Sequence, residues 1–161
     1  MYTSVHNRAL GVMVGVLGPE FHEDDDNQRL LDSIWKQQHD ALNPGRGGAL
    51  ILIVDPDYPN PSSRWRRKFA EAREDLRFSK FFFALVTPAP HLRGVLTAIN
   101  WMSPNSGRFE SSGFGSIDQA VQWVENKLGQ KMPILPLLME EAHAKAGLPF
   151  SMAQARPTKT Q

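Results

Sequence analysis

Asp55, Asp57 and His91 are the side chains whose types and spacing could do chemistry. Asp55 closes an unbroken apolar run, Ala49-Leu-Ile-Leu-Ile-Val, and opens the polar stretch Asp55-Pro-Asp-Tyr-Pro-Asn-Pro-Ser-Ser. His91 follows Pro88-Ala-Pro90 at the end of a second apolar run, Phe81 to Val86. If the two runs are neighbouring strands, His91 and Asp55 form the best acid/base pair in the chain. Ser62 and Ser63 precede Arg64, Arg66 and Arg67. Two hydroxyls, basic side chains and the free N–H groups of a starting helix suit a carboxylate or phosphate on a partner. His22-Glu-Asp-Asp-Asp-Asn could be an acidic metal pocket. The plainer reading is a helix N-terminus, where carboxylates complement the free N–H groups and the macrodipole.

Other chemistries are excluded by what the sequence lacks. There is no cysteine among the 161 residues, which removes disulfides, thiolate nucleophiles and cysteine-held metal clusters. No Gly-x-Ser-x-Gly elbow and no His-x-x-x-His pair occurs. The Asn43-Pro-Gly-Arg-Gly-Gly loop precedes a strand instead of following one, the wrong order for a phosphate-cradling loop. The net charge of +1 implies no general attraction to nucleic acid or an anionic membrane. No apolar run approaches the roughly 18 residues of a membrane span. The first ten residues carry no secretory pattern. A cytoplasmic protein with no cofactor and no bound metal is the expectation.

The elements that would position these groups follow from apolar periodicity. Residues 9–17, 49–54 and 80–87 read as strands buried on both faces. Arg108 to Phe114 reads as a weaker edge strand. Helices are expected over 26–42, 63–78, 91–102 and 116–128, each with an apolar stripe at helical spacing. The first stripe holds Leu30, Leu31, Ile34, Trp35, Gln38 and Leu42; the second holds Trp65, Phe69, Ala72 and Leu76. Ser116-Ile-Asp-Gln is a capping box. The expected organisation is one α/β domain over 1–130, a short helical extension over 131–150 and a disordered tail over 151–161. Residues 133–145 could dock on the body or on a partner.

This β-α-β-α-β-α-β-α order implies a mostly parallel sheet. Over roughly residues 9 to 128 the chain resembles the SpoIIAA-like division of the STAS superfamily. The resemblance rests on Val54-Asp-Pro and its proline loop, on Arg93-Gly-Val-Leu-Thr-Ala-Ile-Asn-Trp, and on Phe114-Gly-Ser-Ile-Asp-Gln-Ala-Val-Gln-Trp-Val. Where anti-anti-sigma members carry Asp-Ser then Gly-Leu, this chain has prolines then Ser-Ser-Arg-Trp. The resemblance implies a four- or five-stranded sheet with helices mainly on one side. It also implies a non-enzymatic regulatory module whose partner surface maps to Asp55, Asp57, Ser62 and Ser63. A second resemblance is to phospho-acceptor receiver domains, with Asp55 as acceptor and Thr87 ending the next strand. Against it, one helix alone separates the first strand from Asp55, and no lysine ends the last strand.

The expected binding surface is therefore Asp55, Asp57, Ser62, Ser63, Arg64, Arg67, His91 and Arg93, with no catalytic residue assigned. The expected occupant is a protein, with self-association compatible and no role for nucleic acid or integral membrane association. A small acid-base enzyme using His91 and Asp55 is the catalytic alternative.

Overall fold

Asn7 turns the chain back on itself at its start. Its side-chain oxygen accepts the Leu10 amide and its carbonyl the Gly11 amide, each at 3.0 Å. Gly11 completes the turn at φ 68°, a conformation that favours glycine. The result is an antiparallel hairpin of β1 (Tyr2–Asn7) and β2 (Val12–Leu17). A computed structural model of the chain, which describes residues 1–94 and 107–150, shows this hairpin at the edge of a five-stranded sheet. The other strands are β3 (Gly48–Val54), β4 (Phe81–Val86) and β5 (Phe109–Phe114), in the order β1-β2-β3-β4-β5. From β2 onward all pairs are parallel.

The sequence gives β1 little signal. Only Tyr2 and Val5 of Tyr-Thr-Ser-Val-His-Asn are buried, because an edge strand needs few apolar side chains. The three strands expected at the centre are β2, β3 and β4, and they are adjacent. Gly15 lets two of them approach. A side-chain carbon there would lie 3.0 Å from Leu52 Cδ1 and 3.1 Å from the Tyr2 ring.

Among the described residues four complete helices cover the sheet: α1 (Glu23–Asp40), α2 (Ser63–Ala72), α3 (Ile117–Leu128) and α4 (Leu135–Lys145). A 3-10 turn, Arg73–Asp75, extends α2, and residues 90–94 are helical. The rest of the helix expected over 91–102 lies outside the described residues, as does the tail from 151.

The expectation of helices mainly on one side is corrected. Leu30 of α1 and Leu76 after α2 pack on Met13, Leu50, Leu52, Phe81 and Leu85. Ile117, Ala120 and Val124 of α3 and Leu135, Leu138, Met139 and Ala142 of α4 pack on the opposite face, against Val12, Val14, Ile51, Phe82 and Ala84. Right-handed crossovers between consecutive parallel strands stay on one face. The other face of the two-sided strands must still be covered, and the chain after β5 returns across it. Segment 133–145 thus packs on the body. Thr3 Oγ1 donates to the Ala142 carbonyl at 2.9 Å, which fixes α4 beneath β1.

α1 is held to the sheet partly by polar contacts. Gln37 is fully buried, and its Nε2 donates to the Gly11 and Ala49 carbonyls at 3.0 and 2.9 Å. Gln38 Oε1 accepts the Arg77 and Phe78 amides at 2.9 and 3.2 Å. Trp35 and Leu42, expected on the inward stripe, are 64% and 65% exposed. Trp35 lies near the margin of the stripe, Leu42 lies beyond the helix, which ends at Asp40 with Ala41 as its cap, and the glutamines take the ground between helix and strands.

Candidate functional site

The exits of β3 and β4 lie side by side, since Ile53 is opposite Val86. Each leads into a proline-containing loop, and the two loops share the C-terminal edge of the parallel strands. Sites in open α/β sheets lie at this edge. The Asp55 amide donates to the Leu17 carbonyl at 2.9 Å, so the first loop departs from a continued sheet contact. Asp55 Oδ1 accepts the Asp57 amide at 2.9 Å, and the Asp55 carbonyl accepts the Tyr58 amide at 3.0 Å. Asp55 therefore shapes its own turn and is half-buried, while Asp57 points outward and is exposed.

Tyr58, absent from the sequence-derived site, anchors this loop. It is buried, and its hydroxyl donates to Asp26 Oδ2 at 2.7 Å. The same carboxylate oxygen accepts the His22 amide at 3.2 Å and lies 3.0 Å from the Met1 nitrogen. Burial alone would raise the Asp26 pKa, but these donors outweigh it and hold the group below the ordinary carboxylate value. Burial, and then the Asp26 charge, push the Tyr58 hydroxyl far above its ordinary value. The acidic run is the first turn of α1, as the helix reading has it, but it starts the helix at Glu23 and puts Asp26 inside.

The N-terminus of α2 is not open as expected. Glu23 Oε1 accepts the Ser62 amide at 2.8 Å, so the chain places its own carboxylate there. Asp24 Oδ1 accepts the Trp65 indole N–H at 2.7 Å and lies 3.9 Å from Arg64 Nη2. Lys68 Nζ sits 4.5 Å from the centre of the Trp65 ring. Asp24 and Asp25 thus face basic and indole partners, Asp25 lying 3.8 Å from Arg29. Among the described residues no cluster of three or more His, Cys, Asp or Glu side chains could hold a metal ion. Ser62, Ser63, Arg64 and Arg67 remain exposed around this helix start.

Past the second loop, at the start of the helical stretch 90–94, His91 is exposed. Thr87 is buried, and its Oγ1 accepts the Ala89 amide at 3.2 Å. Arg93 turns inward. Its Nη1 donates to the Thr87 carbonyl at 2.8 Å, and its stem occupies the space a side chain at Gly113 would need, with Cβ and Cγ 3.1 Å from that position. Arg93 therefore joins the β4 exit to β5, and the exposed members of the expected surface are Asp57, Ser62, Ser63, Arg64, Arg67 and His91.

Beneath this edge, between α1, α2 and the sheet, lies a cavity of about 120 Å³. Tyr58, Pro59 and Pro61 of the first loop form part of its wall, and aliphatic and aromatic side chains form most of the rest. Sequence periodicity marks these side chains as core and gives no sign that they fail to meet. Fold and site together define a mixed five-stranded α/β domain with a loop-built edge above an apolar cavity. No protein-family model matches the chain, and neither a curated protein nor a solved structure matches it. Among the described residues no helix is long and apolar enough to cross a membrane.

Proposed function

We propose that the chain is a non-enzymatic regulatory binding module of the SpoIIAA-like STAS type. It works in the cytoplasm and engages a protein partner through the loops at the C-terminal edge of β3 and β4. What supports the reading is an exposed group around the C-terminal edge of β3 and β4: Asp57 and Ser62 on the loop after β3, Ser63, Arg64 and Arg67 on the first turns of α2, and His91 in the helical stretch after the β4 exit. Prolines at 56, 59, 61, 88 and 90 stiffen both loops, which lowers the ordering cost of recognition. Because Glu23 already occupies the helix start, the partner's acidic group is expected on the outer arginines and not on the Ser62 amide.

The test is Arg64→Glu with Arg67→Glu, against Lys36→Glu with Lys131→Glu on other exposed surface. Arg73 is unsuitable as a control because its guanidinium carbon lies 4.2 Å from the centre of the Phe109 ring. The first pair should lose the partner recovered from native extract, at least tenfold, with circular dichroism unchanged. A purified partner should then show the same loss. Equal retention by both pairs would remove the interaction from this edge.

A further inference from the structure

Trp35 is largely in solvent, yet it is held in place. Its ring stacks on His39 with 3.7 Å between centroids, and His39 Nδ1 accepts from Arg77 Nη1 at 2.9 Å. Leu42, exposed as well, follows three residues after His39. A tryptophan already ordered in solvent loses little freedom on binding, and tryptophan is enriched among the residues that carry interfaces. Trp35 belongs to the solvent face of α1, which presents Asp25, Arg29, Asp32, Trp35, Lys36 and His39 at helical spacing. The helix lies over β1 and β2, at the outer margin of the sheet, so this face looks away from the rest of the domain.

We propose that this face is a self-association surface: two copies of the chain meet with their α1 helices antiparallel, Trp35 against Trp35, and Asp32 of each against Arg77 of the other. The order of charge along the face selects a second copy as the occupant. Before Trp35, Asp25 lies 3.8 Å from Arg29 of its own helix, which leaves Asp32, held by the Gln28 side chain at 2.9 Å, as the outward acid. After Trp35 come Lys36, the His39–Arg77 pair and Arg46, all exposed. Set parallel, two such faces bring like charges together. Set antiparallel about a two-fold axis at Trp35, they bring Asp32 of each copy to the basic end of the other, and Leu42 onto the Arg29 stem. An isologous contact requires this self-complementarity, and opposed charges fix its register. One helix laid on one helix is a small interface, at or below about 1,200 Å², so a dimer of micromolar affinity is expected. The face shares no residue with the edge of β3 and β4. Lys36→Glu with Lys131→Glu should therefore keep the protein partner even where it weakens the dimer.

The experiment is sedimentation equilibrium of the full chain at concentrations up to about 200 µM. The parent should dimerise with a micromolar dissociation constant. Trp35→Ala should raise that constant at least tenfold with circular dichroism unchanged, because the side chain already lies in solvent. Asp32→Lys and Arg77→Glu should each raise it about tenfold. An equimolar mixture of these two variants should associate as tightly as the parent, because the mixed dimer restores an opposite pair at both contacts. That rescue arises between chains, and no change within one fold reproduces it. A parent that stays monomeric throughout would overturn the proposal, as would a dimer that Trp35→Ala leaves intact. A mixture no tighter than either variant alone would overturn the antiparallel arrangement.

Discussion

The Tyr58 hydroxyl donates to Asp26 Oδ2 at 2.7 Å, across 32 positions of sequence. This bond ties the loop that leaves β3 to the first turn of α1. Tyr58 also lines the cavity, so the bond joins the cavity wall to the start of α1.

Tyr58→Phe should therefore loosen the loop. A hydrogen bond to a charged group contributes about 1.5–3 kcal/mol, and Asp26 would remain buried with one donor fewer. Urea unfolding at neutral pH should show a loss of that size. Limited proteolysis should show faster cleavage within residues 55–62.

Stability should fall on both sides of a plateau in pH. Tyr2 and Tyr58 have hydroxyl pKa values raised by burial above 10.0, so their contribution is complete below about pH 10 and is lost as pH rises beyond it. His6 is lowered from 6.5 by burial, and Asp26 is held below 3.8 by its donors against the opposing effect of burial. Both favour the fold above their ordinary values. Stability should begin to fall below about pH 6.5 as His6 charges, and fall further below about pH 4 as Asp26 protonates. Chemical denaturation from pH 3 to 11 measures both limbs. Tyr58→Phe should flatten the alkaline one.

Gly48→Ala should be strongly destabilising for a steric reason. A carbon added at Gly48 would lie 2.7 Å from Cζ of the Phe78 ring, which is itself fully buried. Overpacking of this kind costs about 1–3 kcal/mol. The double variant Gly48→Ala with Phe78→Leu should recover part of the loss, and a double-mutant cycle of melting temperatures would show the coupling.

Arg93→Ala should separate structure from recognition. The Thr87 carbonyl loses a donor at 2.8 Å and Gly113 loses the stem packed against it. A fall in stability of about 1–3 kcal/mol is expected, with partner retention within twofold of the parent at a temperature where both are folded. A selective loss of the partner would return Arg93 to the binding surface.

What the sequence by itself determined were features set within a few residues. Two-sided apolar runs became β2, β3 and β4, prolines ended β3 where expected, and Ser116 caps α3 by accepting the Gln119 amide. The Asp55 loop and the exposed Arg64 and Arg67 were legible for the same reason, since polar residues after a buried strand leave little choice of place. The tertiary structure alone decided which polar groups face one another. Glu23 covers the Ser62 amide across 39 positions, and Tyr58 meets Asp26 across 32. Nothing in local composition distinguishes Asp26 from Asp24 and Asp25, yet Asp26 alone of the three is buried. The faces of the sheet were decided in the same way, because a helical stripe states that one side must be buried but not against which layer. The cavity is the clearest case. Its wall reads as ordinary core in sequence, and only the packing of α1 and α2 over the strands shows that those side chains leave a space between them.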